Sequence, residues 1–256
     1  MIRTAFLILS LLMVAGCAST QGPALTSLEE PNDPIEPFNR YMFELNQGLD
    51  MVIIRPFAEI YDGMMPELGR HLVQNITSHI RQPIVLANDL LQGEWKRAQT
   101  TFWRFAVNST IGGLGALDPA TDLGLPGHEE DFGQTLAVAG ISSGPYVFIP
   151  LLGPTPPREI VGRLVDTIFN PLSYIDAGLT ENLAATAAEG LELRAQNIQT
   201  LDNLQAGSAD YYATIRSAYR QRRNAEILNG AEDLDDLPDI SSLDTEPEIL
   251  SASTVQ

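Results

Sequence analysis

The chain has 256 residues, with 15 Lys and Arg against 33 Asp and Glu, which gives a formal net charge of −18 at pH 7. Nucleic-acid-binding proteins gather positive charge on one face. The bases here are scattered, with no basic stripe interleaved with aromatic residues, so a nucleic acid is excluded as the expected ligand. The single cysteine, Cys17, excludes an intramolecular disulfide.

Residues 1–16 have the pattern of a secretory signal peptide. Arg3 precedes an apolar run from Ala5 to Ala15, and small residues lead into Cys17. A run of about eleven residues is too short to cross a bilayer core, which needs about twenty. We therefore expect the segment to be cleaved rather than kept as a membrane anchor.

The tetrapeptide Val14-Ala15-Gly16-Cys17 resembles the lipobox of bacterial lipoproteins, in which the cysteine thiol is acylated and the residue becomes the new N-terminus. The alternative is that Cys17 is discarded with the signal peptide. Each buried methylene contributes about 0.8 kcal/mol, so two or three acyl chains anchor a protein stably. No Asp follows Cys17, and by resemblance to sorted lipoproteins this implies the inner leaflet of the outer membrane, facing the periplasm. Residues 17–32 are predicted to be a lipidated tether.

Residues 33–230 are predicted to form one mainly α domain, because their apolar residues follow helical spacing. The predicted helices are Pro37–Ile54, Pro56–Met64, Pro66–His79, Pro83–Leu91, Glu94–Asn108, Arg158–Phe169, Glu181–Gln205 and Ala209–Leu228.

Three other segments depart from helical spacing. Residues 111–117 and 140–156 are rich in Gly or Pro, which predicts short β or irregular segments there. Residues 231–256 hold eight acids and no base. This composition predicts a disordered acidic tail, and docking of the tail onto a basic partner is the alternative.

The strongest enzyme signal is Gly140-Ile141-Ser142-Ser143-Gly144, which fits the Gly-x-Ser-x-Gly elbow of esterases. That fold places its histidine after the nucleophile. Here His71, His79 and His128 all precede Ser142, so the required order fails. We predict no catalytic residue and no enzyme activity.

Metal and phosphate signals are also weak. His71 and His79 have no acidic cluster at helical spacing, and residues 128–131 form a polar loop without ligand spacing, so neither a metal nor another cofactor is predicted. Gly112, Gly113 and Gly115 lack the Lys of a phosphate-binding loop. They are predicted to allow close backbone approach or a hinge.

The aromatic residues leave two interpretations open. They are Phe38, Tyr41, Phe43, Trp95, Phe102, Trp103 and Phe105. Their helical spacing is typical of an ordinary core, and a wide apolar face with few charges equally fits contact with acyl chains.

Several stretches together resemble, in order, the motifs of the MlaA (VacJ) lipoprotein family, and the likeness covers Asp33 to Leu228. The residues that carry it include Asp33, Pro34, Phe38, Asn39, Arg40, Asn88, Gln92, Gly93, Arg104, Phe105, Asn108, Phe132, Gly133 and Arg158.

The resemblance implies a non-enzymatic, ring-like protein with a central amphipathic channel. It would remove phospholipid from the outer leaflet of the outer membrane and pass it to a periplasmic carrier, beside trimeric porins. The channel or its hinge is assigned, as a hypothesis, to Gly112, Gly113, Gly115, Tyr146, Val147, Phe148, Ile149, Leu151 and Leu152. The alternative is a lipoprotein that organises porins or the envelope without moving lipid.

Overall fold

The computed structural model describes residues 23–26, 32–174 and 190–229. The predicted signal peptide, Cys17 and the predicted acidic tail lie outside the described residues. None of the described helices combines the length and the apolar character needed to cross a membrane. The helices are α1 (Glu36–Leu49), α2 (Arg55–Met64), α3 (Glu67–Gln92), α4 (Trp95–Thr110), α5 (Pro119–Asp122), α6 (Phe132–Val138), α7 (Pro157–Phe169), α8 (Ile198–Gly207) and α9 (Tyr211–Ile227).

The predicted mainly α fold is confirmed. The only strands among the described residues, β1 (Phe148–Ile149) and β2 (Gly153–Pro154), pair antiparallel. Residues 111–116 form turns. Both lie within the segments that the sequence predicts to be β or irregular, because Gly and Pro are poor helix residues.

The first two predicted helices, Pro37–Ile54 and Pro56–Met64, are joined without a break in the structure. α1 passes through a π-helical segment, Asp50–Ile54, directly into α2. Pro56 is the second residue of α2, just after the π-helical segment, and the helical run continues through it.

The break predicted at Pro83 is wrong. α3 is one helix of 26 residues with Pro83 inside it. Proline removes one backbone hydrogen bond, and that cost is exceeded here by packing, since α3 lies against α4 and its second half also contacts α6 and α7. α3 ends where Gly93 takes a left-handed conformation with φ of +79°, as expected of a glycine cap.

Two short helices, α5 and α6, escape sequence periodicity because they are too brief to show it. Each has an aspartate at its N-cap: Asp118 accepts from the backbone N–H of Thr121, and Asp131 accepts from that of Gln134. The cap residues, rather than apolar spacing, were the signal available in the sequence.

Towards the C-terminus the described chain is helical from 190 to 196, turns at Asn197 and continues as α8. Residues 175–189 lie outside the described residues, and they include the first nine residues of the helix predicted at Glu181–Gln205. The last predicted helix corresponds to α9.

An aromatic core joins α1, β1 and α9. It contains Phe43, Tyr146, Phe148 and Tyr212, all buried. Phe43 meets the rings of Phe148 and Tyr212 edge to face, at centroid distances of 5.3 and 5.5 Å. Such pairs add about 0.5–1.5 kcal/mol to the burial of their surface.

Residues 23–26 of the predicted tether are bound to this body. The backbone N–H of Ala24 donates to the carbonyl of Ala137 at 2.9 Å. Asn224 of α9 donates to the carbonyl of Thr26 at 2.8 Å and accepts from its N–H at 3.0 Å. The linker that sequence composition predicts is therefore docked over this part of its length.

Candidate functional site

The usual arrangement of apolar interior and polar exterior is partly inverted in this protein. More polar than apolar residues are buried among the described residues. Large apolar side chains stand exposed on α1, α2, α4 and α7. Soluble monomers rarely expose contiguous apolar patches beyond a few hundred Å², so an apolar exterior of this extent indicates contact with lipid or with another protein.

Helix α7 shows the inversion on a single element. Ile160, Val161, Leu164 and Ile168 share one face and are exposed, and Leu164 keeps 65% of its surface accessible. The opposite face is buried and carries Arg158, Glu159, Gly162 and Asp166. The helix is amphipathic, but its polar face points inward.

Helix α4 repeats this pattern with aromatic residues. Trp95, Phe102 and Trp103 point outward, and Trp95 is 67% exposed. Thr101, Arg104 and Asn108 are buried. Of the aromatic residues that the sequence left undecided between core and acyl contact, Phe43 lies in the core, and the exposed ones are Phe38, Tyr41, Trp95, Phe102, Trp103 and Phe105.

The buried polar groups around Asp166 come from different helices and form hydrogen bonds with one another. Asn88 of α3 donates to Asp166 Oδ1 at 3.0 Å and accepts from Thr135 Oγ1 at 2.8 Å. Both carboxylate oxygens of Asp166 accept from the backbone N–H of Phe132 at 3.1 Å. Burial raises the pKa of Asp166 to about 6, because these donors are neutral and offset only part of the desolvation.

A second group of charges joins α6, α7 and α9. Arg223 donates to both oxygens of Asp131, at 2.7 and 2.8 Å, and pairs with Glu159. Burial opposes ionisation of Asp131, but the guanidinium outweighs it and lowers the pKa of the carboxyl. Gly133 is necessary here, because a Cβ at that position would lie 2.3 Å from Glu159 Oε2.

Arg104 and Asn108 of α4 form hydrogen bonds to the segment that follows the helix. Arg104 donates to Asp118 Oδ2 at 2.9 Å and to Thr121 Oγ1 at 3.0 Å. Asn108 donates to Asp118 Oδ1 at 2.8 Å and accepts from the backbone N–H of Ala120 at 3.1 Å. Phe105 instead stacks on the ring of His79 at 4.8 Å.

The stretch from Asp33 to Arg40 forms hydrogen bonds both to the segment around β1 and to α9 with its N-cap. Asn39, fully buried, donates to the carbonyl of Tyr146 at 2.9 Å and accepts from the N–H of Phe148 at 3.0 Å. Asp33 accepts from Arg216 at 2.6 Å. Arg40 forms two hydrogen bonds to Asp210, at 2.6 and 3.0 Å.

The other residues that carry the resemblance have structural positions too. Gln92 donates to Glu130 Oε2 at 2.8 Å. Arg158 pairs with Glu159 and donates to the carbonyls of Ala24 and Ile141, each at 3.2 Å. Pro34 lies in the turn before α1.

The glycines assigned to a channel or hinge lie in the turn after α4, against the middle of α3. A Cβ on Gly115 would lie 2.3 Å from the ring of His79, and one on Gly112 would lie 2.6 Å from the carbonyl of Leu117. Gly113 has φ of +63° and open space around it. Close backbone approach explains Gly112 and Gly115, and backbone conformation explains Gly113.

The proposed apolar wall is divided between core and surface. Tyr146 and Phe148 are buried in the aromatic core, and Leu151 and Leu152 are exposed at the hairpin tip. Val147 and Ile149 are half-buried between them. Their role in lipid passage stays a prediction.

A polar cavity of about 210 Å³ lies between the end of α2, the first turns of α3 and the 190–196 helix. Its charged lining includes Asp62, Glu67, Arg70 and Glu192. Tyr61 lines the cavity, and its hydroxyl is buried and makes no hydrogen bond. The pKa of this phenol is raised by burial and by the nearby charge of Glu192. Sequence patterns missed this cavity because its residues come from distant parts of the chain.

Ser142 has no hydrolase partners within the described part of the chain. Its Oγ accepts from the backbone N–H of Gly144 at 3.3 Å. The polar contacts of the three histidines are with residues other than Ser142. His71 lies near Glu67, His79 forms a hydrogen bond with Ser109, and His128 forms hydrogen bonds with Asp89 and Thr101.

One further cluster was not visible in the sequence. Asp89, His128 and Glu130 each offer a ligand atom, and these atoms lie within 4.8 Å of one another. His128 and Glu130 lie in the polar loop to which the sequence assigned no ligand spacing. The third member, Asp89, is 39 residues before His128, so only the fold brings them together.

These features define a class: a mainly helical protein with a hydrogen-bonded polar interior and an apolar exterior. The family model for the MlaA lipoprotein matches residues 31–226, so the chain belongs to the MlaA lipoprotein family.

Individual relatives agree with this assignment. An intermembrane phospholipid transport system lipoprotein MlaA of Shigella flexneri is 33% identical over 236 residues, covering 90% of each chain. The protein of that name from Haemophilus influenzae is 29% identical, covering 91% of this chain and 94% of the relative. A solved chain described under "Structural basis for maintenance of bacterial outer membrane lipid asymmetry" is 34% identical, has a TM-score of 0.70, and covers 76% of this chain and 98% of its own length.

Proposed function

We propose that this protein moves phospholipid out of the outer leaflet of the outer membrane through an amphipathic channel, without catalysing a reaction, and passes it to a periplasmic carrier. The observation that carries the proposal is the inversion of polarity in α4 and α7. Phospholipid transport and outer-membrane lipid asymmetry stand in the names of the relatives. The acyl chains expected on Cys17 would hold the protein at the inner leaflet.

The apolar exterior supports a position inside the leaflet rather than upon it. Burying apolar surface contributes about 25 cal/mol per Å². Exposed side chains on α1, α2, α4 and α7 gain that energy when acyl chains surround them. With a formal charge of −18 the protein gains little attachment from anionic head groups. Apolar side chains, together with the acyl chains expected on Cys17, must therefore supply the attachment.

The polar cavity beside Tyr61 is the best place for a phospholipid head group. Its volume of about 210 Å³ accepts a small polar group. Arg70 offers a cation for the phosphate, and Asp62 and Glu67 offer anions for a head-group ammonium. Arg70 is paired with Asp62, so a zwitterionic head group would exchange one ion pair for two.

Porins and a soluble carrier complete the proposed route. An apolar exterior fits against a membrane-embedded partner such as a trimeric porin, and the periplasmic side would face the carrier. A scaffold that only organises porins needs the same exterior but no polar cavity. The cavity is therefore the feature that favours transport over scaffolding.

The test is complementation of a strain that lacks its own MlaA. Arg70→Glu places a third acid beside Asp62 and Glu67 and should repel the phosphate. We expect phospholipid to accumulate in the outer leaflet, measured as hydrolysis by externally added phospholipase. Arg222→Glu, an equal charge change on the exposed face of α9, is the matched control.

Transport and scaffolding predict different results. A scaffold would restore normal asymmetry with Arg70→Glu, provided that the variant reaches the membrane in wild-type amount. Wild-type asymmetry in that variant would overturn the cavity assignment. Failure of the wild-type chain to restore asymmetry, although it reaches the outer membrane, would overturn transport itself.

A further inference from the structure

The cluster of Asp89, His128 and Glu130 lies outside the lipid path proposed above. Asp89 is in the last turn of α3 and is fully buried. His128 and Glu130 belong to the loop that leads into α6, and Glu130 is almost fully buried. A buried carboxylate is costly unless it is paired or coordinates a metal.

The three side chains already approach coordination geometry. His128 Nε2 lies 2.9 Å from Asp89 Oδ1 and 3.1 Å from Oδ2. A tetrahedral zinc ion with bonds of about 2.0–2.1 Å holds its ligand atoms about 3.3 Å apart. The Asp89 and His128 atoms are close to that spacing, and the Glu130 oxygen is within 4.8 Å of them. Metal binding would draw the Glu130 oxygen towards the other two ligand atoms.

Both carboxylates are oriented by neutral donors behind them. Thr101 Oγ1 donates to Asp89 Oδ2 at 2.7 Å. Gln92 Nε2 donates to Glu130 Oε2 at 2.8 Å. Metal sites are built with such outer donors, which fix the ligands and tune their basicity.

One cation now serves both acids. Arg97 Nη2 donates to Glu130 Oε1 at 2.7 Å, and its Nε lies 3.7 Å from Asp89 Oδ1. That Nε is buried and makes no hydrogen bond.

We propose that Asp89, His128 and Glu130 bind one divalent transition-metal ion, with water as the fourth ligand. One imidazole and two carboxylates match zinc, and the imidazole disfavours magnesium and calcium. His128 and Arg97 are partly exposed, and they provide the entry path and the place for the water. Bound metal joins the 128–130 loop to the end of α3.

The first experiment is zinc titration of the purified full chain in detergent, by calorimetry after treatment with chelator. We expect one zinc ion per chain, a raised melting temperature and no competition from millimolar magnesium. Tetrahedral Co²⁺ absorption provides a second readout on the wild-type protein. Failure of the wild-type protein to bind zinc or cobalt stoichiometrically overturns the proposal.

Variants locate the site. His128→Ala should abolish binding, and His71→Ala, on an exposed residue that pairs with Glu67, should leave it unchanged. Thr101→Val keeps side-chain volume and should weaken zinc binding about ten- to a hundredfold. Arg97→Gln should bind zinc more tightly, because it removes the competing cation. Wild-type affinity in both His128→Ala and Thr101→Val places the ion elsewhere and also overturns the proposal.

Discussion

The aromatic core and the α6–α7 contact are held together in opposite ways. In the core, Phe43 and Phe148 exclude water with rings that meet edge to face. Between α6 and α7, Glu159 and Asp166 are buried and Asp131 is half-buried, and each accepts hydrogen bonds from neighbouring donors. Lipid is as apolar as a protein core. A helix whose outer face contacts lipid therefore gains no hydrophobic free energy by turning apolar side chains inward. Its inner face is then free to be polar, provided that the buried charges are paired.

The largest effect should come from removing the charge that holds the polar contact together. Arg223→Leu removes the cation that half-buried Asp131 shares with buried Glu159, and leaves Glu159 with Arg158 alone. We expect a loss of about 3–5 kcal/mol in the free energy of unfolding, measured by denaturant titration in detergent. Arg222→Leu, whose side chain is 75% exposed, should change stability by less than about 0.5 kcal/mol. Equal losses in the two variants would contradict the account.

The next effect is a pH dependence of the free energy of unfolding, which should arise from Asp166 in the α6–α7 contact. Folding raises the pKa of Asp166 from 3.8 to about 6. The folded state therefore holds this proton more tightly, so the contribution to stability is complete below about pH 4 and is lost as the pH rises through 6.

Asp166→Asn isolates this contribution, because the amide oxygen still accepts from the N–H of Phe132. Between pH 4 and 7, the stability of the wild type should fall relative to the variant, by at most about 3 kcal/mol. Unfolding is measured at each pH for both proteins. A constant difference across that range would show that Asp166 titrates as an ordinary carboxyl.

A smaller effect should follow from the close approach of α6 and α7. A Cβ on Gly162 would lie 2.5 Å from the backbone nitrogen of Gly133. Gly162→Ala should therefore separate the helices and cost about 1–3 kcal/mol in thermal unfolding. Gly48→Ala, in α1 with open space around it, should be neutral or slightly stabilising. Tolerance of alanine at Gly162 would show that α6 and α7 can shift apart freely.

The sequence predicted the helices of this protein better than it predicted which face of each helix is buried. The spacing of Ile160, Leu164 and Ile168 predicts a helix, and the structure contains it. The same spacing conventionally places those residues inward, and only the resemblance to a lipid-handling family suggested otherwise. The partners of Asp166, Asn88 and Phe132, lie 78 and 34 residues away.

The candidate sites were less predictable than the helices. Periodicity concerns neighbours on one element, whereas the polar cavity and the Asp89 cluster each draw residues from separate elements. Pro83 also misled the prediction, because tertiary packing of α3 exceeds the cost of one lost hydrogen bond. Such long-range effects have no local signature.

The smallest change in stability should accompany a clear change in membrane affinity. Leu164→Ser alters only the exposed face of α7, so unfolding in detergent should shift by less than about 0.5 kcal/mol. Removing the apolar contact should nevertheless weaken partition of the delipidated chain into neutral phospholipid vesicles, measured by flotation. Gln221→Ser, on the exposed polar side of α9, should leave partition unchanged. If Leu164→Ser destabilised the fold as strongly as Arg223→Leu, the outer face of α7 would be packed against protein. The claim that α7 has a polar inner face and a lipid-facing apolar face would then be wrong.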